Sequence, residues 1–383
     1  MSIGKVLIVG GGVGGLSAAA LLARQGIDVD VIERRAEDFV YGVGIIQPPN
    51  ALRALKKIGV LEKCFEAGFQ SDERRAFDAE GNPLGTSILR RLADADHGAT
   101  NFLPRPKLHE ILTDAALTAG ARLRLGVMVA ELVQNDRGVG VKFSDGRHAC
   151  YDLLIGADGI RSQIRSLLFG DTVQPQFTGH AVWRFTTARP ADLTYNCLFY
   201  GVGAKAGLVP LSRESMYLLL VTNEPGNPRV PSGRFAEMLR QRLIQFGGIV
   251  ATVRNAIEPN SKIVYSPIEE VILPGPWHKG RIVVIGDAAH ASSPHLAQGA
   301  AMALEDAVVL AEMVSECDGS IDSMLQDFYE RRAPRCRYVQ EQSHIVGDIG
   351  QIVDPAACQL RNEQIRTMMA SGRVSDDYLE QPI

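Results

Sequence analysis

The sequence predicts an α/β fold: a Rossmann-like domain on a parallel sheet, interrupted by a mainly antiparallel β-rich module and followed by C-terminal helices. Three observations carry that expectation. A glycine-rich turn, KVLIVGGGVGG at residues 5–15, joins a short apolar run to a helical one. Two later apolar runs, DLLIGAD from residue 152 and RIVVIGD from residue 281, break off as sharply at an acidic residue. Between them, residues 179–271 alternate apolar segments with Pro/Gly turns, the mark of an antiparallel sheet.

In chain order, residues 5–9 form a buried strand too short for a helix. Gly10, Gly12 and Gly15 then fit G-x-G-x-x-G: the first allows the tight turn, the second lets backbone approach a pyrophosphate, and the third packs helix on strand. The helix at 16–25, stopped at Gly26, aims free N–H groups and its dipole at the phosphates. The strand at 28–32 delivers Glu33 where a carboxylate meets an adenosine ribose. Residues 42–50 read as a Gly/Pro loop, followed by a helix at 51–58 that stops at Gly59. Residues 77–84 suggest a hairpin, and 105–116 a helix with Pro106 near its start and Arg105 at its entrance. A β-pair at 127–132 and 139–143 precedes the second apolar run, and a helix over 299–314 follows the third. The predicted organisation is a discontinuous nucleotide-binding domain (1–72, 100–175 and 272–340), a β-rich substrate domain (73–99 and 176–271) and a helical segment (341–383).

The 383 residues carry a net charge of -4 with both signs dispersed, which argues against nucleic acid as a partner. No apolar run is long enough for a membrane span, and the start lacks a secretory signal core, so a cytoplasmic protein is expected. Six cysteines without ligand spacing point to reduced thiols and no metal.

With the first glycine turn and Glu33, Arg105-Pro106-Lys107-Leu108 followed by Leu112, Asp158-Gly159, and Gly286-Asp287 continued as AAHASSPHLAQGAAMALEDA, the chain resembles the FAD-dependent aromatic hydroxylases. These are single-component flavoprotein monooxygenases like p-hydroxybenzoate and salicylate hydroxylase, and the resemblance covers residues 5 to about 338. It implies FAD held by Gly10, Gly12, Gly14, Gly15, Glu33, Arg34, Arg105, Val129, Asp158, Asp287, Gly299 and Ala300. It also implies NADH or NADPH as a transient co-substrate, and oxygen transfer from a C4a-hydroperoxyflavin to an electron-rich ring. The helix opening at Gly299 would stabilise charge on the reduced flavin's N1–C2 edge. Otherwise it is only a core helix, with Glu305 and Asp306 facing solvent. Many relatives carry glycine where this chain has Ala297; alanine there resembles the gentisate-forming and hydroxynicotinate hydroxylases, and favours a phenolic or hydroxy-N-heteroaromatic acid as substrate.

Candidates for substrate chemistry lie in the β-rich module and the flavin loop. His295, after Pro294, is either a base or hydrogen-bond partner for a phenol, or a solvent-facing loop residue. Tyr217 puts its hydroxyl over a pocket or sits in the core. Lys205, read as a loop residue, either pairs a substrate carboxylate or is solvated. Ile46 and Gln47 are placed over the ring, Trp183-Arg184 is a packing and positioning pair, and His290 is structural. Two other classes stay open: another flavoenzyme on this scaffold, an epoxidase or reductase, and a non-catalytic flavin-binding module. A halogenase is disfavoured, because the only tryptophans are Trp183 and Trp277 and no W-x-W-x-I-P occurs. A homodimer and the role of 354–383 are also left open.

Overall fold

The computed structural model describes residues 3–37, 43–371 and 377–383. The apolar run of the first strand, Lys5–Val9, is buried on both faces because it lies inside a sheet covered on both sides. It pairs in parallel with Asp28–Glu33 on one side and Leu153–Gly156 on the other. The full sheet runs His278–Lys279, Ile282–Val284, Leu153–Gly156, Lys5–Val9, Asp28–Glu33, Arg122–Leu125. All of its strands are parallel except the first in this order. The glycine turn and the abrupt ends at Gly156 and Val284 therefore open side by side at the carboxyl end of the parallel strands.

The turn's helix is Val13–Arg24, and Gly26 follows it at φ +82°. The next helix, Pro49–Ile58, ends on Gly59 in the left-handed conformation, with Val60 N–H returning to Leu55 O. The loop expected at 42–50 is corrected in part: Gly42 lies outside the described residues, but Gly44–Gln47 is a strand paired with Thr100–Pro104. Ile45 and Ile46 gain a β partner that is distant in sequence, which local Gly/Pro content cannot reveal.

A seven-stranded sheet joins two separated stretches: Glu73–Asp78 and Pro83–Ile88 with Gln176–Ala188, Asn196–Tyr200, Ala204–Pro210, Ser215–Asn223 and Ile263–Glu270. One face buries Trp183, Phe199 and Leu220 against the helices Phe235–Arg242 and Gly248–Asn255. The period of two sends Val182, Arg184, Leu198, Tyr217, Leu219 and Val221 to the opposite face, over a cavity. Trp183 and Arg184 are thus on opposite faces. Lys205 is corrected too: it lies in the strand Ala204–Pro210, buried, because this stretch finds strand partners on both sides.

Among the described residues four helices close the chain, the last a single turn at Asp377–Glu380. Gly299–Ser315 packs on Val13–Arg24, and Ile321–Gly350 runs for 30 residues with Pro334 inside it. Pro355–Ala370, capped by Asp354, lies against Pro83–Ile88. Among the described residues, no helix is long and apolar enough to cross a membrane.

Candidate active site

At the nucleotide end, the glycine turn is set by close backbone approach. Gly10 sits at φ +112°, and a Cβ there would lie 2.3 Å from Ala157 O; a Cβ on Gly15 would lie 2.0 Å from Gly10 O. Gly12 has nothing within 4 Å on that side, so its backbone is open to a ligand. Glu33 is fixed at the turn: Gly11 N–H donates to its Oε2 at 3.0 Å and Arg35 N–H to its Oε1 at 3.0 Å. His109 Nε2 lies 2.8 Å from Gly11 O. Replacing Glu33 with alanine leaves Gly11 N–H without this acceptor, and we expect about a tenfold loss in affinity for an adenosine-containing cofactor, measurable by fluorescence titration.

Asp158 does a structural job as well. It accepts from Ser162 Oγ and from the N–H groups of Gln163 (2.7 Å) and Ile164 (3.1 Å), capping the start of Gln163–Phe169. Burial raises its pKa, against these hydrogen bonds.

At the other end of the cradle, Asp287 follows Gly286, whose φ is +59°. The helix Gly299–Ser315 has no side-chain cap and no acidic residue in its first turn, so its amide dipoles remain available to an anionic group. Ala297 holds φ +56°, a left-handed conformation that costs a non-glycine residue about 1 kcal/mol. What holds this strained loop is a buried polar network. Asn50 and Gln298 exchange two amide hydrogen bonds (2.9 and 3.1 Å), and Asn50 Nδ2 also donates to Glu305 Oε1 at 2.9 Å. Glu305 accepts from Arg332 (2.9 Å) and Arg335 (2.8 Å). Asp306 accepts from Arg332 (2.8 Å) and Gly286 N–H (2.9 Å) and lies 2.7 Å from His290 Nε2. Glu305 and Asp306 are fully buried, so the solvent-facing alternative fails.

One cavity of about 1250 Å³ connects both ends to the seven-stranded sheet. Gly10, Gly12, Gly14, Glu33, Arg34, Arg105, Asp158, Asp287, Gly299 and Ala300 line it, as do Ile46, Lys205, Tyr217, Pro294 and His295. Gly15 lies behind, against Gly10. Two expected contacts are displaced. Gln47 is buried with its Oε1 accepting from Asn101, and Val129 gives its place to Val127 and Met128 while its carbonyl accepts from Gln163 Nε2.

Tyr217 is buried, its ring filling the space left by the absent Cβ of Gly44, and burial pushes its phenol up to about 12. Burial and the nearby Arg74 lower Lys205 to about 8; burial and the Lys205 charge lower His295 to about 3. Sequence reasoning missed Arg74 and left the role of 354–383 open; there the helix Pro355–Ala370 brings Ile365, Met368 and Met369 to the wall. Strand alternation alone carried a signal for Arg74. Among the described residues, Arg74 and Arg184 have no ion-pair partner, and burial depresses both guanidinium pKa values.

The open backbone at Gly12, the fixed carboxylate of Glu33 and the uncapped helix at Gly299 fit an extended dinucleotide bearing phosphates in its middle and an electron-accepting ring at its end. Residues 4–343 match the family described as FAD binding domain. The chain is 33% identical to the 2-heptyl-3-hydroxy-4(1H)-quinolone synthase of Pseudomonas aeruginosa strain UCBPP-PA14, over 96% of this chain and 95% of that one. It is 32% identical to the 3-hydroxybenzoate 6-hydroxylase of Klebsiella oxytoca, over 98% and 94%. The crystal structure of Klebsiella pneumoniae HpxO complexed with FAD and uric acid superposes with a TM-score of 0.88 at 24% identity, covering 99% and 97% of the two chains.

Proposed function

The chain belongs to the FAD-dependent monooxygenases built on the FAD binding domain, and from that membership we propose that it hydroxylates a small aromatic or heteroaromatic acid carrying a ring hydroxyl, with NAD(P)H and O2 as co-substrates. The observation that carries the substrate class is the pair of cations facing the cavity from the seven-stranded sheet, Arg74 and Arg184, which lack carboxylate partners among the described residues. Buried cations are stable when an anion joins them, and a substrate acid supplies one. The relatives' names give 3-hydroxybenzoate as a substrate and 2-heptyl-3-hydroxy-4(1H)-quinolone as a product, both aromatic rings bearing a hydroxyl.

The residues divide the work along the cavity. Glu33 and Arg34 hold the adenosine end, the Gly10–Gly14 backbone and the Val13 helix the pyrophosphate, and Arg105, Asp287 and the Gly299–Ala300 amides the remainder. Bound there, FAD supplies the redox and oxygen-transfer chemistry. Leu198, Leu219, Val182, Ile365 and Met369 wall off water from the reacting face, while Arg74 and Arg184 orient the acid and Tyr217 offers a hydroxyl to the ring. Six free cysteines suit the reducing cytoplasm.

The test uses the FAD-loaded protein with a panel of hydroxybenzoates, hydroxypyridines, quinolones and purines. At least one acid is expected to accelerate NAD(P)H oxidation and to yield a product heavier by one oxygen. A product gaining two hydrogens would mark a reductase, and no acceleration across the panel would reject the reading.

A further inference from the structure

Two side chains at the substrate end are seated in the last turns of Ile321–Gly350 in a way the hydroxylation reading does not account for. His295 Nδ1 lies 3.4 Å from Lys205 Nζ. A Cβ on Gly347 would lie 2.8 Å from His295 Nε2, and a Cβ on Gly350 would lie 3.2 Å from both Cδ and Cε of Lys205. Residues three apart share a helix face, so these two buried glycines form one slot, His295 in its first half and the lysine stem in its second. Each glycine costs the helix about 1 kcal/mol relative to alanine, which the helix bears where the two side chains need the space.

The slot decides which member of the pair can exchange a proton with a ligand. His295 has its Nδ1 against the lysine and its Nε2, buried and without a hydrogen-bond partner, against Gly347. Neither ring nitrogen is left for the cavity. Lys205 uses one N–H toward His295 and presents the rest of its amine to the cavity, beside Tyr200 of the neighbouring strand. The other groups around the pair are Arg74 on its own sheet, His180 with its ring edge-on at 6.0 Å, and His344, which is paired with Glu270 at 2.5 Å. Asp348 faces His180 from the long helix.

We propose that Lys205 is the catalytic group that takes the proton of the substrate's ring hydroxyl, with His295, Gly347 and Gly350 as its positioning residues. The O–H bond breaks, its electron pair stays on oxygen, and the proton bonds to the lone pair of the neutral amine. The product is a phenolate–ammonium pair inside the cavity, and a ring made more nucleophilic. With its pKa lowered to about 8, Lys205 has a neutral fraction near pH 8, whereas His295 stays neutral and accepts the lysine's N–H. This rests on the cavity taking a hydroxylated ring, and it moves the acid–base role from His295 to Lys205.

The experiment titrates 4-nitrophenol, whose phenolate alone absorbs strongly in the visible, into FAD-loaded protein from mildly acidic to alkaline pH. Wild type is expected to bind it as phenolate at a pH where the free probe is mostly protonated. Lys205→Met should retain FAD and raise the bound probe's pKa by about one unit or more, a tenfold change in ionisation. His295→Ala and Gly350→Ala should give smaller rises, because the lysine remains but is less well held. Unchanged ionisation in Lys205→Met, with the probe bound, overturns this proposal and leaves the hydroxylase reading standing. A probe that does not bind to FAD-loaded wild type, together with an inactive substrate panel, overturns both.

Discussion

Arg332→Ala is expected to lower folding stability by about 3–5 kcal/mol, the cost of stranding buried charge. Arg332 is 1% exposed, and its guanidinium joins Glu305 to Asp306, two consecutive carboxylates with no access to solvent. Removing it leaves Glu305 with Arg335 and Asn50, and Asp306 with His290 and Gly286 N–H, so each buried carboxylate loses the guanidinium it shares with the other. The surface pair Lys57–Glu312, half exposed at the lysine, is the control: Lys57→Ala should cost less than about 1 kcal/mol. Urea unfolding at fixed, saturating FAD measures both, since ligand linkage otherwise blurs the comparison.

The same cluster sets the acid limb of stability. Burial raises the Asp306 pKa, but His290 and Arg332 outweigh it and hold the carboxyl at about 2, below its usual value of 3.8. Its folded-state pKa is depressed, so its contribution is complete above pH 4 and is lost as pH falls from about 4 toward 2. Asp306→Asn should flatten that part of the stability profile, besides lowering it throughout.

Gly10→Ala is expected to give protein that folds poorly and purifies without flavin, whereas Gly12→Ala folds and only binds flavin more weakly. The Gly10 Cβ would meet Ala157 O at 2.3 Å and Ala157 C at 2.6 Å, backbone atoms that no rotamer change can move, and φ +112° adds strain. Gly12, at φ -84°, meets no protein atom, so alanine there costs the apoprotein less than about 1 kcal/mol. Thermal unfolding of the apoproteins and flavin absorbance after purification separate the two effects. Equal melting temperatures for both apoproteins would refute the packing argument.

The nucleotide end was legible in sequence because its chemistry is local. The turn, its helix and Glu33 lie within 29 consecutive residues, and their spacing encodes the backbone geometry directly. The substrate end was not. Residues 204–210 offer Gly, Pro and small side chains that suggest a loop, and only pairing with Asn196–Tyr200 and Ser215–Asn223 makes them a buried strand. Arg74 reaches the cavity beside Asn196, more than a hundred residues away in sequence. The solvated alternative for Glu305 and Asp306 stayed open because their arginines come from the next helix, and no local pattern ties Gly347 and Gly350 to His295 and Lys205, which lie across them.

The order of strands in the parallel sheet also governs how the protein is made. Leu153–Gly156 leaves the ribosome with one side paired to Lys5–Val9, but its other neighbour, Ile282–Val284, is translated more than a hundred residues later, on the order of ten seconds at usual elongation rates. For that interval the nascent chain carries a bare apolar strand edge, and it lacks Asp287 and the Gly299 helix needed to capture its cofactor. Flavin loading is therefore a late event in biogenesis, and slowing translation between these two strands should raise aggregation more than slowing it after Gly350.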